Sequence, residues 1–561
     1  MKLTGAQIIM KTLQEEGVDT IFGFPGGAVI DIYDELVKTD IKHVLVRHEQ
    51  GAVHAADGYA RASGRVGVCL VTSGPGATNT VSGIASAYMD SVPIVILTGQ
   101  VPTALIGNDA FQEVDIVGIT RPCTKHNYLV KDIEDLARIL KEAFYIARSG
   151  RPGPVLVDLP KDLVQASTRY KEIKDVRLVS YNPTYEPNTK QLPKVIRLIK
   201  EARKPLVFAG GGVILSQGAK ELTAFARKIK APVTTTLMGL GGFPASDPLW
   251  LGMLGMHGTY RANMSTSECD LLIAVGVRFD DRVTGKVDAF APGATIVHID
   301  IDPTSIRKNI PVSVPIVGDC RITLNKLNGL LKKEDLGDVD KKRRPWLEQI
   351  EEWKAKGALA YEQKGTIKPQ FVVEKLYELT KGEAIITTEV GQNQMWAAQY
   401  YHFDRPNCFI TSGGLGIMGF GLPAAIGAQI ASPDSIVVDI AGDGSIQMNI
   451  QEMATAVQYN LPIKIAILNN QYLGMVRQWQ ELFYNRCYAH TEMSHAPDFV
   501  RLAEAFGAVG LRATKPDEVE AVIKKGLATV KPVIMDFIVE REECVYPMVP
   551  AGEPITQMLL V

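Results

Sequence analysis

The stretch that most constrains the fold is Ser435 to Asn470, SIVVDIAGDGSIQMNIQEMATAVQYNLPIKIAILNN. It opens with an apolar, β-branched run, Ile436 to Ile440, of the kind that forms a strand buried on both faces. The chain then turns at Gly442-Asp443-Gly444, where two glycines let the backbone approach a ligand closely. Ser445 is expected to cap the helix that follows, in which Ile446, Ile450, Met453, Ala454 and Val457 recur at helical spacing. Pro462 ends that helix, and Ile463 to Leu468 form a second apolar strand running into Asn469-Asn470. Strand, helix and strand in this order make a βαβ unit and commit the region to a parallel sheet. The ligand site of such a unit lies at the carboxyl ends of its strands, where Asp443 and Asn470 stand 27 positions apart (470 − 443).

A carboxylate and an amide oxygen beside a helix N-terminus suit Mg²⁺ holding a diphosphate, with the helix amides as phosphate donors. A GDG alone is an ordinary turn; the strand, helix, second strand and terminal Asn-Asn give it meaning. GDG followed by NN at this separation resembles the thiamine diphosphate signature. The surrounding sequence, over nearly the whole chain, resembles the catalytic subunits of acetohydroxyacid synthase (acetolactate synthase).

Length and composition agree with that class. A chain of 561 residues is too long for one core, and three domains of ordinary size are expected. Lys+Arg 60 against Asp+Glu 62 gives a net charge of −2, so nothing points to a nucleic-acid or anionic-membrane partner. Seven scattered cysteines without CxxC or zinc spacing fit a reducing compartment. Lys11 and Glu15 break the N-terminal apolar pattern before it could serve as a signal peptide, and no apolar run is long enough to span a bilayer. A cytoplasmic enzyme is the expectation.

The fold expected is α/β, with three parallel sheets flanked by helices. In residues 1–168, strand-like runs at Ile21-Phe24, Val66-Val71, Ile94-Leu97 and Val155-Leu159 alternate with helical segments such as Gly51-Ala62. A linker with Pro183 and Pro187 leads to a second α/β region, 189–331, with strands Pro205-Ala209, Pro232-Thr236, Leu271-Val275 and Thr295-Ile299. A charge-rich connector, Lys332 to Lys368, has a helical piece around Trp346-Trp353. The third region is 369–538, and the proline-bearing tail 539–561 is expected to wrap over the surface.

The resemblance assigns roles residue by residue. RHEQGAVHAADGYARASG matches the family's segment for the glutamate that shares a proton with N1′ of the aminopyrimidine and so promotes deprotonation of the thiazolium C2. This implies Glu49 in that role, as a buried carboxylate able to share a proton. Read without the family, a Glu there would simply favour a helix dipole. In SGGLGIMGFGLP, Met418 is implied as the apolar support that bends the cofactor, with Gly416 contacting the aminopyrimidine; alone, such a Met is core packing. Val390, Gly391, Gln392 and Asn393 are implied on the diphosphate side, Asn393 standing where the family commonly has His. Gly444 and Ser445 are implied at phosphate, and Asp443, Asn470 and the carbonyl of Tyr472 at Mg²⁺. Glu49 and Asp443 lie in different domains, and in the family they come from different subunits. An obligate homodimer, or a tetramer of such dimers, is therefore implied, with sites at the interface.

The middle region carries Gly210-Gly211-Gly212 after a strand, which permits close approach of a dinucleotide although it is not GxGxxG. Further on, GVRFDDRVTGK resembles the FAD-containing, biosynthetic branch; otherwise it reads as a solvated charged loop. FAD contacts are implied at Arg151, Gly211, Gly212, Thr236, Leu237, Met238, His257, Gly276, Arg278, Asp300, Ile301 and Asp319, and the flavin does no net redox work in the family's main reaction. Pyruvate is decarboxylated and a second 2-oxo acid, pyruvate or 2-oxobutyrate, accepts the two-carbon unit. Arg282 can pair with that acid's carboxylate. Trp479 can pack on its alkyl group, and one methylene is worth about 1–3 kcal/mol of selectivity. Gly27, Ala28, Phe111, Gln112 and Lys161 line the remaining pocket in the family. A small regulatory ACT-domain subunit is the implied partner. A flavin-coupled pyruvate oxidase is the nearest rival, against which RFDDRVTGK and Trp479 speak. Glyoxylate carboligase lacks the glutamate. A catalytically dead homologue would lack Glu49, Asp443 or Asn470, and all three are present.

Overall fold

The computed structural model describes residues 1–356 and 359–560; residues 357 and 358 of the second connector and Val561 of the tail lie outside the described residues. Three six-stranded sheets form the frame, each parallel throughout. In the first, the spatial order is Lys42–Leu45, Thr20–Phe24, Gly67–Val71, Ile94–Gln100, Val155–Pro160, His126–Leu129. In the third it is Phe409–Ile410, Ile385–Thr388, Val437–Gly442, Lys464–Asn469, Val533–Ile538, Val509–Ala513. Numbered along the chain, both read 2-1-3-4-6-5. The middle sheet runs Trp250–Met253, Val233–Thr235, Pro205–Ala209, Leu271–Val275, Thr295–Asp300, Val314–Val317, which is 3-2-1-4-5-6.

Strands buried on both faces explain these sequences. Val68 to Val71, Ile94 to Leu97, Leu271 to Val275 and Ile465 to Ile467 are fully buried apolar runs with helices on either side. The expected strands in the first two regions are present, their ends within three residues of those expected. His126–Leu129, Trp250–Met253 and Val314–Val317 were not foreseen: they are short and are interrupted by polar, glycine or proline residues.

The first and third sheets are joined by two helices, Glu49–Ser63 and Gly421–Ala431, packed backbone to backbone. A Cβ on Gly58 would lie 2.1 Å from the Ala424 carbonyl oxygen, and one on Gly427 1.8 Å from that of Ala55, so only glycine permits this crossing.

Two local expectations are corrected. The segment after Gly442 is not one helix capped by Ser445: Gly442 is the N-cap, a short helix spans Asp443–Ile446, and a 3₁₀ stretch follows at Gln447–Glu452, kinked at Asn449 before Met453–Gln458. Ser445 instead donates its hydroxyl to Glu389 Oε2 at 2.6 Å, a contact that local sequence cannot announce. The tail does not stay on the surface. Val545, Met548, Val549 and Ile555 are buried, and the tail bonds Gln478, Met256 and Lys286. It fastens the middle region to the third.

Candidate functional site

In open parallel sheets, ligands bind where the strand order reverses, outside the carboxyl ends. Each of the three sheets has such a point, and the expected site residues collect there. In the third sheet it lies between Ile385–Thr388 and Val437–Gly442, whose ends lead into Glu389–Asn393 and Asp443. Asp443 is almost wholly buried, and neither carboxylate oxygen has a hydrogen-bond partner. Burial pushes its pKa up to about 7, and the amides of Asp443, Asn470 and Gln471 offset part of that rise from outside hydrogen-bonding geometry. An orphaned buried carboxyl is costly unless something polar faces it, a place a cation would fill. Among the described residues no cluster of three His, Cys, Asp or Glu side chains surrounds a metal position. The donor set of one carboxylate, the Asn470 amide and backbone carbonyls fits Mg²⁺, which keeps phosphate and water oxygens as its other ligands. Asn470 Oδ1 accepts from Tyr472 N at 3.1 Å, and its Nδ2 donates to Gln392 Oε1 at 3.2 Å.

The walls of this half-site are fixed by buried polar groups. Gln392 Nε2 donates to Gln478 Oε1 and to the Glu543 carbonyl, both at 2.9 Å. Asn393 Nδ2 donates to the carbonyls of Glu389 (2.9 Å) and Ile440 (2.8 Å), so both its hydrogens serve the fold. Its Oδ1 faces Gly391 and Gly442. With both hydrogens taken, the Asn393 side chain has no donor left for a phosphate, although the resemblance implied it on the diphosphate side. Glu389, to which no role was assigned, accepts from Gly419 N, Leu422 N and Ser445 Oγ and so holds the glycine loop bearing Gly416 and Met418. Gly416, at φ +72°, lines the large cavity, while Met418 stands half-buried on the same loop. Across the domain boundary, Asp90 accepts from Gly413 N (3.1 Å) and Gly414 N (2.7 Å) and pairs with half-buried Arg61 (3.1 Å). A Cβ on Gly444 would lie 2.7 Å from Leu473 Cδ2, so a side chain there would have to move that leucine.

The first sheet reverses between Thr20–Phe24 and Gly67–Val71. Beyond those ends, Ala28 N donates to Thr72 Oγ1 at 3.4 Å, and Lys161 Nζ donates to the Gly27 carbonyl at 3.0 Å. A Cβ on Gly76 would come within 2.7 Å of Thr72 Cγ2 and 3.4 Å of Glu49 Oε1. Glu49 itself opens the helix Glu49–Ser63 and accepts from Asn79 Nδ2 at 2.9 Å on Oε2. It is half-buried in the single chain, not enclosed as the resemblance implied. Phe111 is 89% exposed, and Gln112 beside it, at φ +58°, is also exposed. Neither they nor Gly27, Glu49 and Lys161 line the cavity described next.

That cavity, about 720 Å³, opens from the reversal point of the middle sheet and reaches the glycine loop of the third region. All twelve residues implied at FAD line it, as do Arg282, Trp479, Val390, Gly391 and Gly416. The three glycines do not act alike. Cβ atoms on Gly210 and Gly212 would lie 2.2 Å from the Gly276 carbonyl oxygen and 2.6 Å from Gly276 Cα, so these two permit strand-end packing, whereas Gly211 meets only Met238 at 3.3 Å. Thr236 Oγ1 is buried without a partner. Asp319 caps the helix Cys320–Leu331, and Asp300 Oδ1 accepts from Asp302 N at 2.9 Å. Arg151 donates to Ser91 Oγ and pairs with Asp302 at 3.1 Å. His257 is buried, which lowers its pKa to about 4 and keeps it neutral; its Nδ1 lies 3.1 Å from the Pro547 carbonyl. An elongated cleft with arginines, terminal carboxylates and an orphaned hydroxyl fits a dinucleotide with a diphosphate and ribose hydroxyls. The Arg282 guanidinium sits 5.9 Å from the Trp479 ring centroid, and its nearest carboxylate, Asp281, is 3.9 Å away.

Comparison with known proteins separates this arrangement from the many folds that share reversal-point sites. Residues 3–119 match the profile of the thiamine pyrophosphate enzyme N-terminal TPP binding domain, 192–327 the central domain, and 389–537 the C-terminal TPP binding domain. An acetolactate synthase large subunit of Haemophilus influenzae is 50% identical over 565 residues, covering 100% of this chain and 98% of its own length. The chain belongs to the acetolactate synthase large-subunit family. The isozyme 3 large subunit of Escherichia coli is 51% identical over 100% of this chain and 98% of its own, and the chloroplastic acetolactate synthase 1 of Nicotiana tabacum 50% over 98% and 83%. Family members of bacterial and plant origin thus align with the chain from end to end.

Proposed function

We propose that the protein is the catalytic large subunit of an acetolactate synthase, decarboxylating pyruvate and joining the two-carbon unit to pyruvate or 2-oxobutyrate in branched-chain amino-acid synthesis. The observation that carries this reading is the half-identity to acetolactate synthase large subunits along the full chain. Thiamine diphosphate supplies, when bound, the carbon nucleophile and the electron sink for loss of CO₂. Asp443, Asn470 and the Tyr472 carbonyl hold Mg²⁺, and Val390, Gly391, Gln392, Gly444 and Ser445 surround the diphosphate, with Asn393 behind them bracing the carbonyls of Glu389 and Ile440. Glu49 shares a proton with N1′ of the aminopyrimidine, which Gly416 and Met418 orient. FAD occupies the middle cavity, and the domain limits are 1–168, 189–331 and 369–538 with the tail 539–561.

Arg282 receives the acceptor's carboxylate; its own carboxylate contact is long enough to be displaced. Trp479 sets the room for the alkyl group, while Gly27, Ala28, Phe111, Gln112 and Lys161 close the pocket from a second copy of the chain. The apolar surfaces of Phe111, Leu105, Ile119, Leu415 and Met448, exposed on one copy, favour such a homodimer. A small regulatory subunit is proposed because the bacterial relatives are named large subunits. Among the described residues no helix is long and apolar enough to cross a membrane.

The test is product analysis with pyruvate and 2-oxobutyrate in competition, without an electron acceptor. Acetohydroxybutyrate in excess over acetolactate is expected, and Trp479→Leu lowers that preference by about tenfold, the scale of one methylene's discrimination. Acetate with a bleached flavin would instead identify an oxidase.

A further inference from the structure

The proposed chemistry depends on where the Glu49 carboxylate sits, and Glu49 is the first residue of its helix. The two backbone N–H groups just ahead of that helix, those of Arg47 and His48, converge on one atom. Both donate to Glu452 Oε1, at 2.9 and 3.0 Å. Consecutive N–H groups point the same way only if the peptide planes between them take a particular twist, so this pair of bonds sets the direction in which the chain leaves the turn. Glu452 comes from the third region, nine residues beyond Asp443 (452 − 443), at the end of the 3₁₀ stretch.

The seat is closely built. Glu452 is fully buried, and its Oε2 accepts from Thr455 Oγ1 at 2.7 Å. One turn on, Tyr459 Oη accepts from Leu45 N at 2.8 Å and donates to the His43 carbonyl at 3.2 Å, so the strand leading to Glu49 is held from the same side. A Cβ on Gly51, in the first turn of the Glu49 helix, would lie 2.6 Å from Glu452 Oε1 and 2.9 Å from its carboxyl carbon. The carboxylate fills the space that this glycine leaves. A buried carboxylate is a poor device for stability alone, since apolar packing of equal volume serves as well or better.

We infer that Glu452 is a positioning residue for Glu49. By accepting both N–H groups it fixes the turn from which Glu49 reaches the aminopyrimidine, whichever chain holds that cofactor. The inference rests on the proposed role of Glu49.

The experiment measures exchange of the cofactor's C2 proton for deuterium, read by NMR after acid quench, on the full chain loaded with thiamine diphosphate and Mg²⁺. Cofactor affinity, thermal unfolding and amide exchange of the peptide covering residues 44–50 are recorded for the same variants. Glu452→Ala slows C2 exchange by about 10- to 100-fold, the cost of misplacing a reacting group by roughly an ångström. Cofactor affinity stays within about threefold, the ordinary scatter of a substitution outside the binding contacts. Amide exchange at 44–50 accelerates. Glu452→Gln, whose amide oxygen still accepts both N–H groups, restores C2 exchange. Gly51→Ala displaces the carboxylate without removing it, reproduces the slow exchange, and carries the test should Glu452→Ala fail to fold. Glu49→Gln serves as the reference: wild-type exchange in that variant would refute the role of Glu49 itself. Slow exchange in Glu49→Gln with wild-type rates in Glu452→Ala and Gly51→Ala would overturn the positioning role alone. So would a Gln variant as slow as the Ala one.

Discussion

The first and third sheets share one strand order, 2-1-3-4-6-5, yet their reversal points carry different chemistry. At the first, small residues and Thr72 clear a space beside a glutamate already tied to Asn79. At the third, a buried aspartate has both oxygens free, beside amides locked into the fold. On the proposed assignment, one half exchanges a proton and the other holds charge. The middle sheet, 3-2-1-4-5-6, places its reversal point over a long cleft and uses glycine for packing as much as for access. A shared frame therefore fixes where a ligand lies, and the residues just past the strand ends decide what it is.

Asp443→Ala is the sharpest way to separate the halves. Activity falls by at least about 100-fold, the upper range for losing an outer metal contact and so a floor for losing a ligand. The cofactor-free protein unfolds at the same temperature or a higher one, because an orphaned buried carboxyl has been removed. A lower melting temperature without cofactor would mean that Asp443 serves the fold instead. Steady-state rates and calorimetry on the same preparation decide this.

The middle region should respond to pH through His257, whose folded pKa of about 4 lies below its ordinary 6.5. Between those values the unfolded chain takes up a proton that the folded chain refuses. The stabilisation is full above pH 6.5 and is lost as pH falls to about 4, a contribution of about 3 kcal/mol. Denaturant unfolding of cofactor-free protein checks this: His257→Gln flattens the profile in that window. The smallest effect contrasts two adjacent glycines. Gly210→Ala, with backbone only 2.2 Å away, destabilises by about 1–3 kcal/mol and loosens flavin binding, while Gly211→Ala at 3.3 Å costs less than half as much. Equal losses would show that the strand-end packing does not distinguish them.

Much of this was legible in the sequence where the signal is local. The separation of Asp443 and Asn470 is that of one strand–helix–strand unit, and the apolar runs Pro205–Ala209 and Leu271–Val275 announced buried parallel strands. What stayed hidden depends on partners remote in the chain. Ser445 read as a cap because nothing nearby revealed Glu389, 56 positions earlier (445 − 389), which takes its hydroxyl. Glu452 carried no signal in the sequence, since its partners Arg47 and His48 lie some four hundred residues away. The tail's prolines suggested a surface path, whereas its apolar Val545, Met548 and Ile555 are buried between two regions.

The central claim is that Glu49 and Asp443 of one chain serve different cofactors, and mixing two inactive variants tests it most directly. Glu49→Gln and Asp443→Ala chains are dissociated, combined in equal amounts and reassembled with thiamine diphosphate, Mg²⁺ and FAD. Random pairing in a two-fold dimer makes half the dimers mixed, each with one intact site, so activity returns to about a quarter of wild type. Mixtures that stay as inactive as the separate variants would place both residues in a site completed within a single chain.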